Sequence, residues 1–124
     1  MHLTRERLDV EQLIATVAGP ERGGSCVFIG TVRGEPDGVT AIEYTAYEAM
    51  AEAELGRMIG EARARWPDAR VAARHRLGLV PVGEASIVIV SAAPHRADAF
   101  EVCRYVIEEV KRRLPVWKKD HHRD

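Results

Sequence analysis

The sequence predicts an α+β fold, a largely antiparallel sheet packed with helices, in one domain over residues 1–124. Three observations carry that expectation. Apolar residues recur at three- and four-residue steps over residues 48–66 and again over 98–114, the period of amphipathic helices. Short apolar or alternating runs bounded by glycine and proline precede each of them and read as strands. The order, two strands and then a helix, twice over, suits hairpin-like strand pairs with helices laid against them. A chain of 124 residues has material for one adequate core.

In chain order, a short helix is expected over 8–17, with Leu13, Ile14 and Val17 on one side, stopped by Gly19 and Pro20. Gly23 and Gly24 lead into a strand over 25–32, where Cys26, Val27, Phe28 and Ile29 form an apolar run expected to be buried on both faces. Gly34, Pro36, Asp37 and Gly38 make a polar connection to a second strand, Val39–Ala46, in which Ile42, Tyr44 and Ala46 alternate with Glu43 and Thr45. The helix over 48–66 presents Ala51, Leu55, Met58, Ile59 and Ala62 on one face and ends at Pro67. A strand over 71–76 follows, then a turn at Pro81, Val82, Gly83 and Glu84, then Ala85–Ala93, the clearest strand in the chain. The last helix, 98–114, is closed by Pro115.

Composition narrows the function. Hydrophobic residues at 46% and charged residues at 30% are ordinary for a globular protein, and no apolar run approaches the roughly 20 residues that span a bilayer. No secretion signal is read at the N-terminus, so a cytoplasmic protein with no membrane association is expected. Cys26 and Cys103 stand in apolar settings outside any metal-binding spacing, and read as small buried hydrophobes. No metal or cofactor is expected. The net charge is −1, yet residues 104–123 hold seven Lys and Arg against three acids. Such a block attracts an anion or an acidic partner, and it also describes a solvated tail. Near-neutral charge and 6% aromatics argue against nucleic acid.

The last helix carries the most chemistry. At about 100° per residue, Phe100, Cys103, Ile107, Val110 and Leu114 form one stripe, expected to face the core. Lys111 lies roughly 20° and Arg104 roughly 40° from Phe100, at the stripe's margin. Lys111 is therefore a candidate for a partly desolvated lysine suited to proton transfer, or for one that snorkels past the core edge. His95 and Arg96 stand where a strand gives way to this helix, a place whose free N–H groups favour an anion. Arg33, after a buried strand and before Gly34, suits an anion clamp or a surface turn. His75 and Arg76 suit the same pocket as Arg33, or a structural role in a hairpin, and the structural role is the preferred reading. Trp117 is expected to anchor the segment beyond Pro115 against the domain, which would hold Lys118 near the surface. Arg112, Arg113 and Arg123 read as solvated charge.

Taken together, these landmarks resemble the large, catalytic subunit of molybdopterin synthase, the MoaE-like family. The resemblance rests on Gly30-Thr31-Val32-Arg33, on His75-Arg76-Leu77-Gly78, and on Ser91 through Arg96 followed by Ala99-Phe100-Glu101. It is completed by Lys111 through Pro115 with Trp117 and Lys118, and it runs from about Gly23 to Asp120. It implies an α/β-hammerhead-like domain that converts cyclic pyranopterin monophosphate to molybdopterin. Two sulfurs would arrive from the C-terminal thiocarboxylate of a small ubiquitin-like partner, with no cofactor. By the same resemblance Lys111 and Lys118 would be the key lysines, and Arg33, His95 and Arg96 the anion-binding residues. The assembly would be a central homodimer with one small subunit at each end, a heterotetramer. The chain departs from the pattern at its end, where His121-His122-Arg123-Asp124 stands in place of a longer acidic and aromatic tail. The alternative is a non-catalytic α+β module that binds an anionic metabolite.

Overall fold

The computed structural model describes residues 1–34 and 38–123; the expected turn at Pro36 and Asp37 lies outside them. Seven strands and three helices follow one another as β1 (Leu3–Thr4), α1 (Val10–Val17), β2 (Gly24–Thr31), β3 (Val39–Ala46), α2 (Glu48–Arg65), β4 (Arg70–Arg76), β5 (Gly78–Pro81), β6 (Ala85–Ala93), α3 (Arg96–Arg113) and β7 (Val116–His122). They form two sheets, one in the order β1-β4-β6-β2 and the other β5-β3-β7. All the pairings are antiparallel except that of the short β1 with β4. The α+β class thus stands, divided into two sheets where the sequence pattern showed only one. Strands β1, β5 and β7 had no clear signal: two are very short, and β7 reads as a basic tail.

Strand β6 is the spine. Eight of its nine residues, from Ser86 to Ala93, are buried. Its two faces serve two cores, as a near-continuous apolar strand must. Ile87 and Ile89 pack with Leu55, Met58 and Ile59 of α2 and with Val102, Val106 and Val110 of α3. Val88, Val90 and Ala92 face the other way, onto Leu13 and Val17 of α1. Each side chain so buried stabilises by roughly 1.5–3 kcal/mol. Asp9 starts α1 by accepting a hydrogen bond from the Gln12 N–H at 3.1 Å.

A third cluster joins the sheets: Leu3, Val32, Tyr44, Ala51, Leu77 and Val80. The chain crosses from the first sheet to the second at Gly78, whose φ of +87° only glycine adopts without strain. The turn before β6 holds the end of β2, because Gly83 N–H donates to the Val32 carbonyl at 2.9 Å and Val32 N–H to the Glu84 carbonyl at 3.0 Å.

Two expectations about burial fail, for one reason. Strand β2 is not buried on both faces: it is an edge strand, with Val27, Phe28 and Ile29 each more than a third exposed. The core stripe of α3 is Ala99, Val102, Cys103, Val106 and Val110, and Phe100 is 58% exposed. Phe100, Val27, Phe28 and Ile107 line a groove of about 270 Å³ between β2 and α3. Apolar residues so exposed mark a surface suited to contact with another molecule, and no described residue of this chain covers them.

Replacing Leu55, fully buried beneath both long helices, tests this packing. Leu55→Ala is expected to lower the unfolding free energy by about 2–5 kcal/mol in a denaturant titration. A loss below about 1 kcal/mol would contradict the core described.

Candidate active site

The second sheet, the end of β2 and the last turn of α3 enclose two connected cavities, of about 430 Å³ and 230 Å³. Tyr44, Ser86, Ile87, Lys111 and Lys118 line both. Each side chain is placed by a local feature of the chain. Lys118 is set by strand register: β7 pairs with β3 so that Lys118 lies opposite Tyr44 and Asp120 opposite Ile42. Paired residues share a face, so Lys118 and Asp120 point with Tyr44 and Ile42 into the larger cavity. Lys111 comes from the last turn of α3, one turn before the helix ends at Leu114.

Ser86 enters through an irregularity. The β2–β6 register runs Gly30 to Ile87 and then Thr31 to Ala85, leaving Ser86 as the extra residue of a bulge. Its hydroxyl donates to the Gly30 carbonyl at 3.2 Å. A side chain at Gly30 would begin 2.7 Å from the Ile87 methyl, so the strand keeps glycine where it meets the cavity wall. Arg33, two residues beyond β2, lines the larger cavity.

His75 forms part of the smaller cavity, not merely a hairpin. It is 6% exposed, its ring meets Tyr44 edge-on at 5.2 Å, and Nδ1 donates to the Arg76 carbonyl at 2.8 Å. Burial pushes its pKa below the ordinary 6.5, the hydrogen bond to Arg76 opposes this, and the charges of Lys111 and Lys118 push the same way as burial. Arg76 takes the structural part, paired with Glu84 at 2.7 Å.

The cationic residues expected in one site divide. Arg33, Lys111 and Lys118 share the larger cavity. His95 and Arg96 do not line either cavity; both are exposed, at the other end of α3. Sixteen residues of helix, at 1.5 Å each, put roughly 24 Å between His95 and Lys111. Lys111 is exposed as well, so this chain by itself does not desolvate it. The physical reason is the rotation of α3: the core stripe lies farther from Lys111 than the expected one.

Other expectations change with the geometry. The segment after Pro115 is a strand, so pairing with β3 holds Lys118, while Trp117 is half exposed with its ring edge-on to Tyr47 at 5.4 Å. Arg113 is not solvated charge. It bridges α3 to α2 through Glu54 at 2.5 Å and Glu61 at 2.6 Å, and holds Glu109 at 2.9 Å. Cys103 is buried beside Cys26, and burial first, then its neighbour, raise its pKa to about 12. Tyr44 and Ser86 were missed as site residues, and His75 was weighed for the pocket but read as structural. Only the alternation of β3 and the His75-Arg76 landmark hinted at them.

The family model described as MoaE protein matches residues 3–113. The chain belongs to the MoaE family. It is 42% identical over 127 residues to molybdopterin synthase catalytic subunit 1 of Aedes aegypti, covering all of this chain and 82% of that one. It is 42% identical over 123 residues to the molybdopterin synthase catalytic subunit of Drosophila grimshawi, but these cover 97% of this chain and only 34% of the fly protein. The fold matches the crystal structure of molybdopterin synthase from Staphylococcus aureus with a TM-score of 0.94 at 32% identity, over 99% of this chain and 91% of that one. It also matches a chain in the complex of subunits 1 and 2 of molybdopterin-converting factor from Helicobacter pylori, with a TM-score of 0.80 at 27% identity, over 96% and 82%.

The depressed pKa of His75 has a thermodynamic consequence. The unfolded chain takes up this proton near pH 6.5 and the folded one only at lower pH, so the ring's contribution to stability is lost as pH falls below about 6.5. His75→Phe is expected to lose less stability than the parent between pH 7 and 5 in parallel denaturant titrations. Equal losses would show that His75 titrates alike in both states.

Proposed function

We propose that this chain is the catalytic subunit of a molybdopterin synthase in molybdenum cofactor biosynthesis, a sulfurtransferase acting on cyclic pyranopterin monophosphate. The observation that carries the reading is the cavity gathering Arg33, Lys111 and Lys118 in a chain of this family. No cysteine lines that cavity, and Cys103 is a poor thiolate, so the sulfur comes from outside. Its source is the C-terminal thiocarboxylate of a small ubiquitin-like subunit. The subunit 1 and 2 complex from Helicobacter pylori supports such a partner. The reading takes no cofactor. It places the chain in the cytoplasm, and no helix among the described residues is long and apolar enough to cross a membrane.

In this reading the thiocarboxylate sulfur bonds to a side-chain carbon of the pterin as that carbon's bond to a phosphate oxygen breaks, which opens the cyclic phosphate to a monoester and gives an acyl–sulfur adduct. Water then cleaves the acyl carbon–sulfur bond, leaving sulfur on the pterin and a carboxylate on the partner's tail. A second round supplies the second sulfur at the neighbouring carbon, whose oxygen leaves as water, and a second carboxylate-ended tail is released. Arg33 holds the phosphate and disperses charge as its ring opens. Lys111 stabilises the charge that develops on the acyl oxygen or serves as acid and base. Lys118 steadies the pterin phosphate or the carboxyl end of the tail.

His95 and Arg96 enter this site from a second copy. They sit at the start of β2, where a side chain on Gly24 would begin 2.9 Å from the Arg96 Cα, while Arg33 lies just beyond its end. Pairing two β2 edges antiparallel about a two-fold axis sets the Gly24 end of one strand beside the Thr31 end of the other. The same pairing brings the apolar faces of β2 and their neighbours Phe100 together across the axis and covers them. His95 and Arg96 of each copy then meet Arg33, Lys111 and Lys118 of the other. A homodimer with a small subunit at each cavity, a heterotetramer, follows.

Lys111→Ala is expected to fold, bind the small subunit and make almost no molybdopterin, and near-normal product would contradict its role. Mixing inactive His95→Ala and Lys111→Ala chains under subunit exchange tests the shared site. One composite site per mixed dimer is intact, so about a quarter of the parent activity returns. No recovery in demonstrated mixed dimers would place both residues in one chain's site.

A further inference from the structure

A cavity of about 470 Å³ shares no lining residue with the two cavities of the active site. It lies along the outer edge of β4. The two-residue β1 pairs there only with His75 and Arg76, so on that side residues 70–74 have no strand among the described residues, and the His2 ring hydrogen-bonds the Ala73 backbone. His75 N–H points to that edge, donating to the His2 carbonyl at 2.8 Å. By alternation the N–H groups of Val71 and Ala73 point the same way, toward the cavity they line.

Four arginines converge on the cavity from different elements: Arg22 after α1, Arg63 on α2, and Arg70 and Arg74 on β4. Among the described residues, no aspartate or glutamate lines it. Arg22 spends two donors on the α1 terminus, Nε to the Val17 carbonyl at 2.8 Å and Nη2 to the Ala18 carbonyl at 3.2 Å. Arg63, Arg70 and Arg74 form no ion pair with a described residue. The Nε of Arg74 is buried and has no hydrogen-bond partner there. Elsewhere the chain does pair its half-buried arginines: Arg76 has Glu84, and Arg113 has three glutamates.

We propose that this cavity is a second anion site, which binds a small phosphorylated molecule through Arg63, Arg70 and Arg74 and the outward N–H groups of Val71 and Ala73 on β4. Converging guanidinium groups without counter-ions repel one another, and a phosphate removes that cost while accepting bidentate hydrogen bonds. Two strand N–H groups pointing the same way add donors that need no side-chain ordering. The volume admits a diphosphate or a phosphate ester of nucleotide size, within the usual range for small-molecule sites of roughly 300–1,000 Å³. Leu13, Val17 and Ile59 supply an apolar wall for the rest of such a molecule. On β4 the side chains alternate, so Arg74 serves this cavity and His75 the active site. The site stands whether or not the active site performs the proposed sulfur transfer.

Titration of the full chain with inorganic pyrophosphate, at ionic strength matched with chloride and followed by amide NMR, resolves the two anion sites. The Val71 and Ala73 amides are expected to shift saturably at micromolar pyrophosphate. In Arg63→Gln/Arg70→Gln, both substitutions on exposed rim residues, those shifts should need about tenfold more ligand. Shifts around Lys111 should be unchanged by this pair. Arg74→Gln should weaken the same two amide responses. The proposal is overturned if the Val71 and Ala73 amides show no saturable shift below millimolar pyrophosphate, or if the rim variant leaves their response unaltered.

Discussion

Strand β7 lies on β3 with Lys118 opposite Tyr44, and the candidate active site depends on that register. A slip of one residue would turn Lys118 and Asp120 out of the cavity and bring in Trp117 and Lys119. The pairing is backbone chemistry, indifferent to how basic the segment is, and it converts a charged C-terminal stretch into a fixed wall. The opposite face of the same pair carries Glu43 and His121, 3.0 Å apart, so both faces of the ladder reinforce one alignment. Strand β3 in turn is held by Tyr44, buried among Val32, Leu77 and Val80 where the two sheets meet.

The remaining basic residues sort by what they touch. Arg113 binds three glutamates and fastens α3 to α2, which fixes the helix end that presents Lys111. Its pKa is raised by the hydrogen bond to Glu61 first and those to Glu109 and Glu54 next, so it stays charged. Glu61 is held below the usual carboxylate range by the same contact. Arg112 pairs with Glu109 at the surface and Arg104 with Glu108, exposed pairs of the kind that contribute little. A charge that looks functional in a sequence is therefore often spent on scaffold. Lys111 and Lys118 are different because both line a cavity.

Long helices and the central strand were legible because their apolar periods are long. The pattern from Ala51 to Ala62 gives α2 nearly to the residue, and the run from Ser86 to Ala93 gives β6. Strands β1 and β5 are too short to carry a period, and β7 has only one large apolar residue besides Val116. Burial was legible only up to the chain's own boundary. The apolar run of β2 and Phe100 read as core, since hydrophobicity records that a surface is covered and not by which molecule. That ambiguity also rotated the expected stripe of α3 and drew Lys111 closer to the core than it lies. Arg33, Lys111 and Lys118 could be named from residue type and resemblance. Their meeting at one cavity depended on tertiary pairing that no local pattern encodes.

In the proposed reaction one cavity receives both an anionic substrate and the tail of a sulfur-carrying partner. A crystal structure of this chain with the small subunit bound is the most direct measurement of that claim. The partner's C-terminus should end between Lys111 and Lys118, within reach of Arg33. A tail that ends elsewhere, against Trp117 and Tyr47 or in the arginine-lined cavity at β4, would contradict it.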